Sequence, residues 1–552
     1  MTPAMQVVVA AGVSVIASAI MLSPFMNLAH LATAVHTGDG REQAWMLAWV
    51  AHALTSSASL FDANMFFPEA GALAHEDHLF ALTAFATPLW LATGNAILTF
   101  NVLMVLGPAV SALGGFLLAR AWTGDWAAAI VGGLAFGLSF FTMLHNAHLN
   151  LTWAAGLPLS MLLLDRWWRA PTWTNLAWLW LVVLFTALTS GYLMVLLATI
   201  LVIHVVVLAL LLGRLEPATR VPQLGVALVL GTAALLPLVV PYLKYANEAG
   251  ETAVYAANVR SYLVPPENTL VGRWLVGRGL VSRESIWGEQ TLFVGGTVLV
   301  LAGVGLLDLA RSGMRERRGY LWPLLAVLVV PLALSFGSSE SGLAPFDLVA
   351  RLPGFSGFRA TARFALIVSL AMAMLAAFGL ARLRRAAPRA ATALTVVVAI
   401  VMLGEWFVVD FPAGHPPPEP VPMVYRLARA DGARAAVALP MYAQQPEYYK
   451  EGDYLLYTTT AEFLPLVNGI GRWAPPLYVS LSELMRAFPS PATAAALRQH
   501  GVTHVILHSA RYGNDAARLR QEVRHAPDFV VVADLGDDIL LRVNSQRPTS
   551  SQ

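Results

Sequence analysis

The sequence predicts a polytopic α-helical membrane protein that ends in an extracytoplasmic α+β domain. The prediction rests on the composition, on the apolar runs and on the positions of the arginines. Of the 552 residues, 57% are hydrophobic and only 12% are charged, whereas soluble domains carry about 25% charged residues. This composition excludes a soluble enzyme, a disordered chain and a nucleic-acid-binding protein. The net charge of +2 indicates no particular partner.

The apolar runs predict how often the chain crosses the membrane. A helix needs about 20 apolar residues to cross a bilayer, and about eleven runs meet that condition. They lie near residues 5–27, 97–119, 125–143, 148–164, 173–190, 192–213, 221–243, 291–310, 319–337, 361–381 and 390–411. A further run, 79–94, is short and contains Pro88, so we expect a re-entrant or interfacial segment there.

Arginines in the short loops predict the orientation of the spans. Cytoplasmic loops carry an excess of Arg and Lys, and with the N-terminus inside every even-numbered loop should be cytoplasmic. Those loops hold Arg120, Arg166, Arg169, Arg214, Arg220, Arg311, Arg315, Arg317, Arg318, Arg382, Arg384, Arg385 and Arg389. A full crossing at 79–94 would place most of these arginines outside. We therefore expect the N-terminus in the cytoplasm and the C-terminus outside.

The remaining composition indicates a bacterial cytoplasmic (inner) membrane. Only Lys244 and Lys450 are lysines among the 35 basic residues, and together with the abundant alanine this favours a GC-rich genome. The chain has no cysteine, which excludes disulfides, thiolate zinc sites and a thiol nucleophile. The first span lacks a preceding basic segment and a clear cleavage site, so we interpret it as an anchor.

The chain divides into a membrane domain, residues 1–411, and an extracytoplasmic domain, residues 412–552. The membrane domain includes a long first extracytoplasmic loop at 28–96, and the Pro-rich stretch 415–422 is a linker. In the second domain the patterns predict strands at 436–441 and 503–508, a helix at 491–501 and a hairpin at 529–543.

The first loop holds the densest group of candidate functional residues. Asp39 lies between two glycines just after the first span, and Glu42 opens an amphipathic helix that should lie along the membrane interface. Acidic groups at the membrane are usually functional where they face a cavity. Asp39 could instead cap a helix or a turn, and Glu42 could be a helix-terminal charge. The HEDH stretch at 75–78 has two interpretations. It could form a metal site, with both histidines on one helical face, or it could be a solvated helix start.

A span followed by GD, and then interfacial helices before the second span, resembles the GT-C superfamily of membrane glycosyltransferases. The stretches 100–167 and 352–364 are similar to bacterial dolichyl-phosphate-mannose-protein mannosyltransferase-like membrane proteins. The resemblance covers about residues 1–411 and implies a GT-C-like fold. It also implies transfer of a sugar from a polyprenyl-phosphate carrier outside the cytoplasmic membrane, with Asp39 as the catalytic base. Many members have a paired acidic motif; here Glu42 is the candidate for the second carboxylate.

The chemistry of such a transfer points to further residues. A carboxylate near the acceptor can act as the base, and cations must hold the departing phosphate. The candidates for phosphate binding are Arg359 and Arg363 in GFRATARF, and His145 and His148 in LHNAHLN. The two histidines would share a face if they lie on one helix. The arginines could instead pair with acids such as Asp347 or Glu340, or reach lipid headgroups.

Four residues are weaker candidates for the cavity or the acceptor site: Glu76, Asp77, His78 and Tyr192. Tyr192 could equally be an interfacial anchor, and the intramembrane Glu405 should pair or face water. We expect no cofactor; a divalent metal stays open, and no ligand cluster points to one.

Two other functions stay open beside a glycosyltransferase. A transporter or flippase of a lipid-linked saccharide should show two matching halves, and no such repeat is visible. A noncatalytic membrane assembly protein could keep the same fold. No Walker A, GxSxG or HExxH motif is present. The expected partners are a polyprenyl-phosphate sugar donor, an acceptor that is a lipid, a glycan or a protein, and membrane lipids, with no nucleic acid.

Overall fold

The computed structural model of the protein describes residues 1–36, 38–212, 217–244, 255–281, 288–314, 319–338, 344–352, 355, 358, 360–409, 411, 416, 421–443, 447–471 and 474–545. The chain forms two compact units. The first contains Met1–Leu28, His78–Ala81 and Val102–His415, and the second contains Ala29–Asp77, Leu82–Asn101 and Pro416–Gln552. Most of the first loop therefore belongs to the same unit as the C-terminal segment. The predicted linker 415–422 lies largely outside the described residues.

The described α-helices follow the apolar runs of the sequence. In chain order they are α1 (Pro3–Leu22), α2 (Asp39–Thr55), α3 (Thr83–Thr93), α4 (Ala96–Thr123), α5 (Trp126–Gly137), α6 (Phe140–Leu144), α7 (Leu149–Thr152), α8 (Gly156–Arg169), α9 (Trp173–Thr189), α10 (Gly191–Leu212), α11 (Pro217–Leu243), α12 (Val259–Leu263), α13 (Leu270–Gly277), α14 (Gly296–Ala310), α15 (Leu321–Ser335), α16 (Ala365–Ala386), α17 (Ala391–Trp406), α18 (Val424–Ala430), α19 (Glu451–Thr458), α20 (Pro476–Leu484), α21 (Pro491–Gln499) and α22 (Ala516–His525).

Six helical segments among the described residues are long and apolar enough to cross a membrane. They are Pro3–Leu22, Ala96–Thr123, Gly191–Leu210, Thr219–Leu243, Thr361–Ala386 and Pro388–Trp406. Shorter apolar helices are Phe80–Thr93, Trp126–Gly137, Trp173–Thr189, Gly296–Ala310 and Leu321–Ser335. Within Phe80–Thr93, α3 has 11 residues, about 16 Å of helix, or about half of a hydrocarbon core. The number of crossings and their orientation stay predictions.

The predicted spans 125–143 and 148–164 are interrupted by a break between α5 and α8. The short helices α6 and α7 occupy this break. The Ser111 hydroxyl accepts a hydrogen bond from Ala154 N at 2.8 Å and donates one to Thr152 O at 2.7 Å. A side chain of α4 thus satisfies main-chain groups that the interrupted helix leaves open. Non-helical backbone at membrane depth requires such partners.

Helix α16 is the core of the first unit and packs closely against α14. Buried residues run along its length from Ala365 to Ala381. A Cβ at Gly305 would meet the carbonyl of Leu375, and one at Gly379 would meet the carbonyl of Leu301. The two glycines therefore let the backbones of α14 and α16 approach each other, as small residues do in membrane helix pairs.

A buried polar cluster joins α4, α8 and α10. Asp165 Oδ2 accepts a hydrogen bond from Trp122 Nε1 at 2.8 Å, and Asp165 Oδ1 lies 2.8 Å from His204 Nε2. These hydrogen bonds offset the free-energy cost of burying the polar side chains.

The second unit contains a four-stranded sheet made by the C-terminal segment. Its strands are β1 (Ala436–Leu439), β2 (His504–His508), β3 (Phe529–Asp534) and β4 (Asp538–Val543). The order is β1-β2-β4-β3, with β1 and β2 parallel and the other pairs antiparallel. The predicted strands, the hairpin and the helix near 491–501 are confirmed.

Helices pack on both faces of this sheet. Alternate strand residues such as Val437, Val505 and Leu541 share a hydrophobic core with Leu481 of α20 and Leu497 of α21. On the other face, α18 contacts β2 and β4. Strands β1 and β2 are therefore buried on both sides, which explains why their sequences are nearly continuous apolar runs.

Candidate functional site

The second unit brings four carboxyl groups together at the start of α2. Asp39 is the first residue of the helix and follows Gly38, whose φ of +71° suits glycine. Glu42 lies one turn later and is 6% exposed. The half-buried Glu76 and Asp77 lie close enough, together with Asp39, to raise the pKa of Glu42 electrostatically. Four of the predicted first-loop acids therefore form one group.

The surroundings of Glu42 disfavour the ionised form of its carboxyl. Burial raises its pKa well above the ordinary value, and the negative charges of Glu76, Asp39 and Asp77 raise it further. Its side chain is hydrogen-bonded to Glu76, so a protonated Glu42 can donate to that carboxylate. Neighbouring carboxyls whose pKa values are pushed apart by their environments are the usual arrangement of an acid beside a base.

The C-terminal segment holds α2 through a buried ion-pair network. Arg41 Nη1 donates to Asp453 Oδ1 at 2.5 Å, and Arg511 Nη2 donates to Asp453 Oδ2 at 2.9 Å. The Arg511 guanidinium also lies over the ring of Tyr454, 4.8 Å from its centroid. At Gly452 a Cβ would meet Glu42 N at 3.5 Å, so glycine permits this approach. Neither Arg41 nor Asp453 was a candidate from the sequence.

Tyr448 of the C-terminal segment interacts electrostatically with Glu76 and Glu42 of the carboxyl group and with Glu451 of its own segment. Burial raises the pKa of Tyr448, and the charges of Glu76, Glu451 and Glu42 add to the effect. Glu451 is fully buried, and burial raises its pKa to about 7. The aromatic-rich stretch YYKEGDY was the sequence signal for this region, although its contact with the first-loop acids was not predictable.

The HEDH stretch does not form one helical face. A 3₁₀ turn, Ala72–His75, ends at its first histidine. His75 is 2% exposed, and its Nε2 lies 3.3 Å from Glu69 Oε1. In the first unit, His78 Nε2 lies 2.8 Å from Ala187 O. Because a carbonyl oxygen only accepts, Nε2 is the donor of this hydrogen bond. Within the described ranges, no three His, Asp or Glu side chains are arranged to hold a metal ion.

The first unit contains a second charged cluster near the N-terminal ends of α10 and α16. Glu289 Oε1 accepts from Arg363 Nε at 3.0 Å and from Arg363 Nη2 at 2.5 Å. Glu289 Oε2 lies 3.2 Å from His145 Nε2. The Arg363 guanidinium covers the ring of Tyr192, 4.0 Å from its centroid. Three predicted candidates, Arg363, His145 and Tyr192, thus meet around an acid that the sequence reasoning missed.

Glu289 stays ionised in this cluster. Burial alone would raise its pKa, but the charges of Arg363 and His145, and their hydrogen bonds, outweigh burial and hold the pKa well below its ordinary range. The glutamate lies in the segment WGEQTLF, just before the apolar run at 291–310. An acid at the end of a span was the signal that could have found it.

The two histidines of LHNAHLN do not share one helix, contrary to the helical spacing that we considered. His145 is the residue that follows α6, at its C-cap position, and His148 is the residue that precedes α7, at its N-cap position. Their rings nevertheless meet edge to face, with centroids 5.4 Å apart. The break between α5 and α8, rather than a helical repeat, therefore brings them together.

Of the alternative pairings considered for the two arginines, the structure describes that of Arg363, which pairs with Glu289. Asp347 Oδ2 accepts a hydrogen bond from Ala344 N at 2.9 Å. Arg359 and Glu340 lie outside the described residues. Glu405 accepts hydrogen bonds from Thr297 N at 3.1 Å and from Thr297 Oγ1 at 2.8 Å, so it caps the first turn of α14.

The sequence and the fold were compared with known proteins. A family profile described as "Domain of unknown function (DUF6311)" matches residues 39–403. No curated protein matches the sequence. The Archaeoglobus fulgidus oligosaccharyltransferase in the apo form is 12% identical, with a TM-score of 0.54 and with 93% of this chain and 71% of that chain covered.

Two further solved structures are similar. The A. fulgidus oligosaccharyltransferase AglB, in complex with an inhibitory peptide and a dolichol-phosphate, is 12% identical, with a TM-score of 0.51 and coverage of 99% and 75%. ArnT from Cupriavidus metallidurans, bound to undecaprenyl phosphate, is 12% identical, with a TM-score of 0.49 and coverage of 99% of both chains. The two A. fulgidus structures, with TM-scores above 0.5, show that this chain shares their fold.

Proposed function

We propose that the chain, which belongs to the DUF6311 family, moves a sugar from a polyprenyl-phosphate-linked donor to an acceptor on the extracytoplasmic face of the membrane. The observation that carries the proposal is the group of carboxyls at the start of α2. The group combines a neutral acid, Glu42, with neighbouring carboxylates, on a fold that glycosyltransferases use. The A. fulgidus enzyme with this fold was solved with a dolichol-phosphate, which supports a lipid-linked donor.

In the proposed reaction Asp39 is the catalytic base. It takes the proton of the acceptor hydroxyl as the oxygen attacks the anomeric carbon of the sugar. Asp39 is half-buried at the first turn of α2, where the positive end of the helix dipole favours its ionised form. Glu42, held neutral, leaves the charge of the group low enough for a second carboxylate to remain ionised. Glu76 and Asp77 complete the group, and Tyr448 lies close enough to interact electrostatically with Glu76 and Glu42.

Arg363 and His145 are the proposed ligands of the donor phosphate. As the bond between the sugar and the phosphate breaks, negative charge grows on the phosphate oxygens, and positioned cations stabilise that charge. Arg363 is 7% exposed and stacks on Tyr192, so its guanidinium is held in one orientation. His148 and Arg359 stay candidates for the same role. The acceptor is a lipid, a glycan or a protein.

The proposed location is a bacterial cytoplasmic membrane, with the C-terminal segment outside. Both the basic short loops and the polar first loop support this orientation, because the positive-inside rule assigns them to opposite sides of the membrane.

The experiment that tests the proposal is a transfer assay with purified protein in lipid. A panel of radiolabelled polyprenyl-phosphate sugars is offered to the wild type, to Asp39→Asn and to Asp62→Asn. Asp62 is the matched control, because it lies in the same loop and its Oδ1 accepts a hydrogen bond from Gly71 N at 2.7 Å. We expect Asp39→Asn to lose about 10²-fold or more of the rate, as loss of a general base does, and Asp62→Asn to keep it.

Equal rates in all three proteins would leave an enzyme but remove Asp39 as its base. Absence of sugar release with every donor, in protein that binds a polyprenyl phosphate, would favour the flippase or the noncatalytic assembly protein instead.

A further inference from the structure

Glu289 occupies the space between two cationic side chains of the first unit. Its Oε1 accepts from Arg363 Nε and Nη2, at 3.0 and 2.5 Å, and its Oε2 lies 3.2 Å from His145 Nε2. One carboxylate oxygen therefore faces the Arg363 guanidinium, and the other faces the His145 ring. Arginine binds carboxylate and phosphate oxygens through the same N–H groups, so a phosphate could make these contacts in place of the carboxylate.

The ring of His145 lies between two oxygen atoms. Its Nδ1 lies 2.7 Å from the carbonyl oxygen of Phe141, which can only accept, so Nδ1 is a donor. Its Nε2 lies 3.2 Å from Glu289 Oε2. A phosphate oxygen at the position of Glu289 Oε2 could therefore contact the same ring nitrogen.

All three side chains of this cluster are largely buried. The exposed fractions of the side chains are 8% for Arg363, 6% for His145 and 14% for Glu289. The ring of Tyr192 lies against the guanidinium. Glu289 is the most exposed of the three, so its carboxylate has the least solvent-shielded position in the cluster.

A change of the Glu289 side chain alone can vacate this position. The residue lies in a 3₁₀ turn, Gly288–Gln290, whose first residue has a φ of +66°. The neighbouring main chain is held in place, because Gln290 Nε2 donates to Ala256 O at 3.0 Å and Leu292 N donates to Ser261 O at 3.1 Å. Buried cations without an anion are costly. The carboxylate should therefore leave only as another anion arrives.

We propose that Glu289 is an internal placeholder, whose carboxylate fills a phosphate-binding position between Arg363 and His145 until the phosphate group of a polyprenyl phosphate displaces it. The inference rests on the proposed function, which assigns phosphate binding to Arg363 and His145. The apparent affinity for the lipid is then reduced by the fraction of molecules in which Glu289 occupies the position. Return of the carboxylate also helps the lipid phosphate to leave after transfer.

The test measures the Kd of undecaprenyl phosphate for the full chain in detergent micelles. Glu289→Gln removes the charge and keeps the shape, and Arg363→Gln removes a proposed ligand. If the carboxylate fills the position in about nine of ten molecules, Glu289→Gln binds about tenfold more tightly than the wild type. Glu405→Gln is the matched control, because it removes another part-buried carboxylate of the first unit, the one that caps α14; its Kd should equal that of the wild type.

Two further ligands distinguish recognition of the phosphate group from recognition of the lipid tail. Undecaprenol has the same tail without phosphate, and its binding should not respond to Glu289→Gln. Inorganic phosphate has no tail. If its affinity rises in Glu289→Gln as that of the lipid does, the position recognises the phosphate group alone; if only the lipid responds, the position requires the tail as well. Either result supports the placeholder.

The outcomes distinguish this inference from the proposed function. If Arg363→Gln weakens binding while Glu289→Gln binds equally or more weakly than the wild type, Glu289 only orients the arginine; the placeholder is then wrong and the proposed function stands. If Arg363→Gln binds like the wild type, or if no protein binds the lipid, the phosphate assignment fails together with the inference. Should Glu289→Gln not fold, Glu289→Asp, whose carboxylate is one methylene shorter, should tighten binding to a smaller extent, and unchanged binding would overturn the placeholder.

Discussion

Three glutamates, Glu42, Glu451 and Glu289, show that the neighbours of a carboxyl decide the direction of its pKa shift. Burial by itself raises the pKa of all three. Glu42 is surrounded by other acids, which raise its pKa further, whereas Glu289 lies between Arg363 and His145, which reverse the effect of burial. Glu451 lies between these extremes, because Tyr442 N and Asn468 Nδ2 donate to it at 2.6 and 2.9 Å. The pKa of the same residue type is therefore raised well above its ordinary value at Glu42, raised to about 7 at Glu451 and lowered well below its ordinary value at Glu289.

Glu451 should make the stability of the second unit depend on pH. Burial raises its pKa from 4.5 to about 7, so the folded state binds this proton more tightly than the unfolded state does. The contribution is complete below pH 4.5 and is lost as the pH rises through 7, by roughly 3 kcal/mol in total. Glu451→Gln removes the titrating group, and its unfolding temperature should vary less than that of the wild type between pH 4.5 and 8.

The control for this measurement is Glu447→Gln, since Glu447 lies in the same segment and its side chain is 57% exposed. Its profile of unfolding temperature against pH should run parallel to that of the wild type. A Glu451→Gln profile as steep as the wild-type one would contradict the assignment.

At the scale of elements, the contact between α14 and α16 depends on two glycines. At Gly305 a Cβ would overlap the main chain of the other helix, whereas at Gly303 in the same helix a Cβ would meet nothing within 4 Å. We expect Gly305→Ala to force the helices apart and to cost about 1–3 kcal/mol, as overpacking does. Gly303→Ala should be neutral or stabilising by up to about 1 kcal/mol, because alanine favours the helix. Thermal unfolding of both variants in detergent checks this, and equal unfolding temperatures would contradict the packing.

The side chains at the start of helix α2 are positioned by contacts with a distant segment of the chain. Its amphipathic pattern predicted the helix and its acidic first turn. The buried network around Arg41 and Asp453 depends on residues 412 positions apart. A buried ion pair that loses one partner costs about 3–5 kcal/mol, so this network holds the first turn of α2, and with it Asp39 and Glu42, in place.

At the scale of the whole molecule, the positive-inside rule makes a prediction about orientation. The chain contains no cysteine, so single cysteines can be introduced without removing native ones. Ser480→Cys, at an exposed position of α20, should react with a membrane-impermeant maleimide in intact spheroplasts. Ser312→Cys, in the basic loop after α14, should react only after permeabilisation.

Each variant is the control for the other, because in intact spheroplasts the maleimide should reach the cysteine at position 480 and should not reach the one at position 312. If only Ser312→Cys were labelled in intact spheroplasts, the predicted orientation would be wrong and the opposite one would hold. It would also place the proposed site on the cytoplasmic side of the membrane.

The apolar runs, the strands of the C-terminal segment and the acidic first loop could be predicted from the sequence, because each depends on hydropathy or periodicity within about 20 neighbouring residues. Only the tertiary structure decided which of these residues meet. It paired Arg363 with Glu289 rather than with the acids nearest in sequence, and it joined His145 and His148 through a break in a helix. Such contacts depend on how distant segments pack. Since any of several acids could have satisfied Arg363, its partner follows from the geometry of the folded chain.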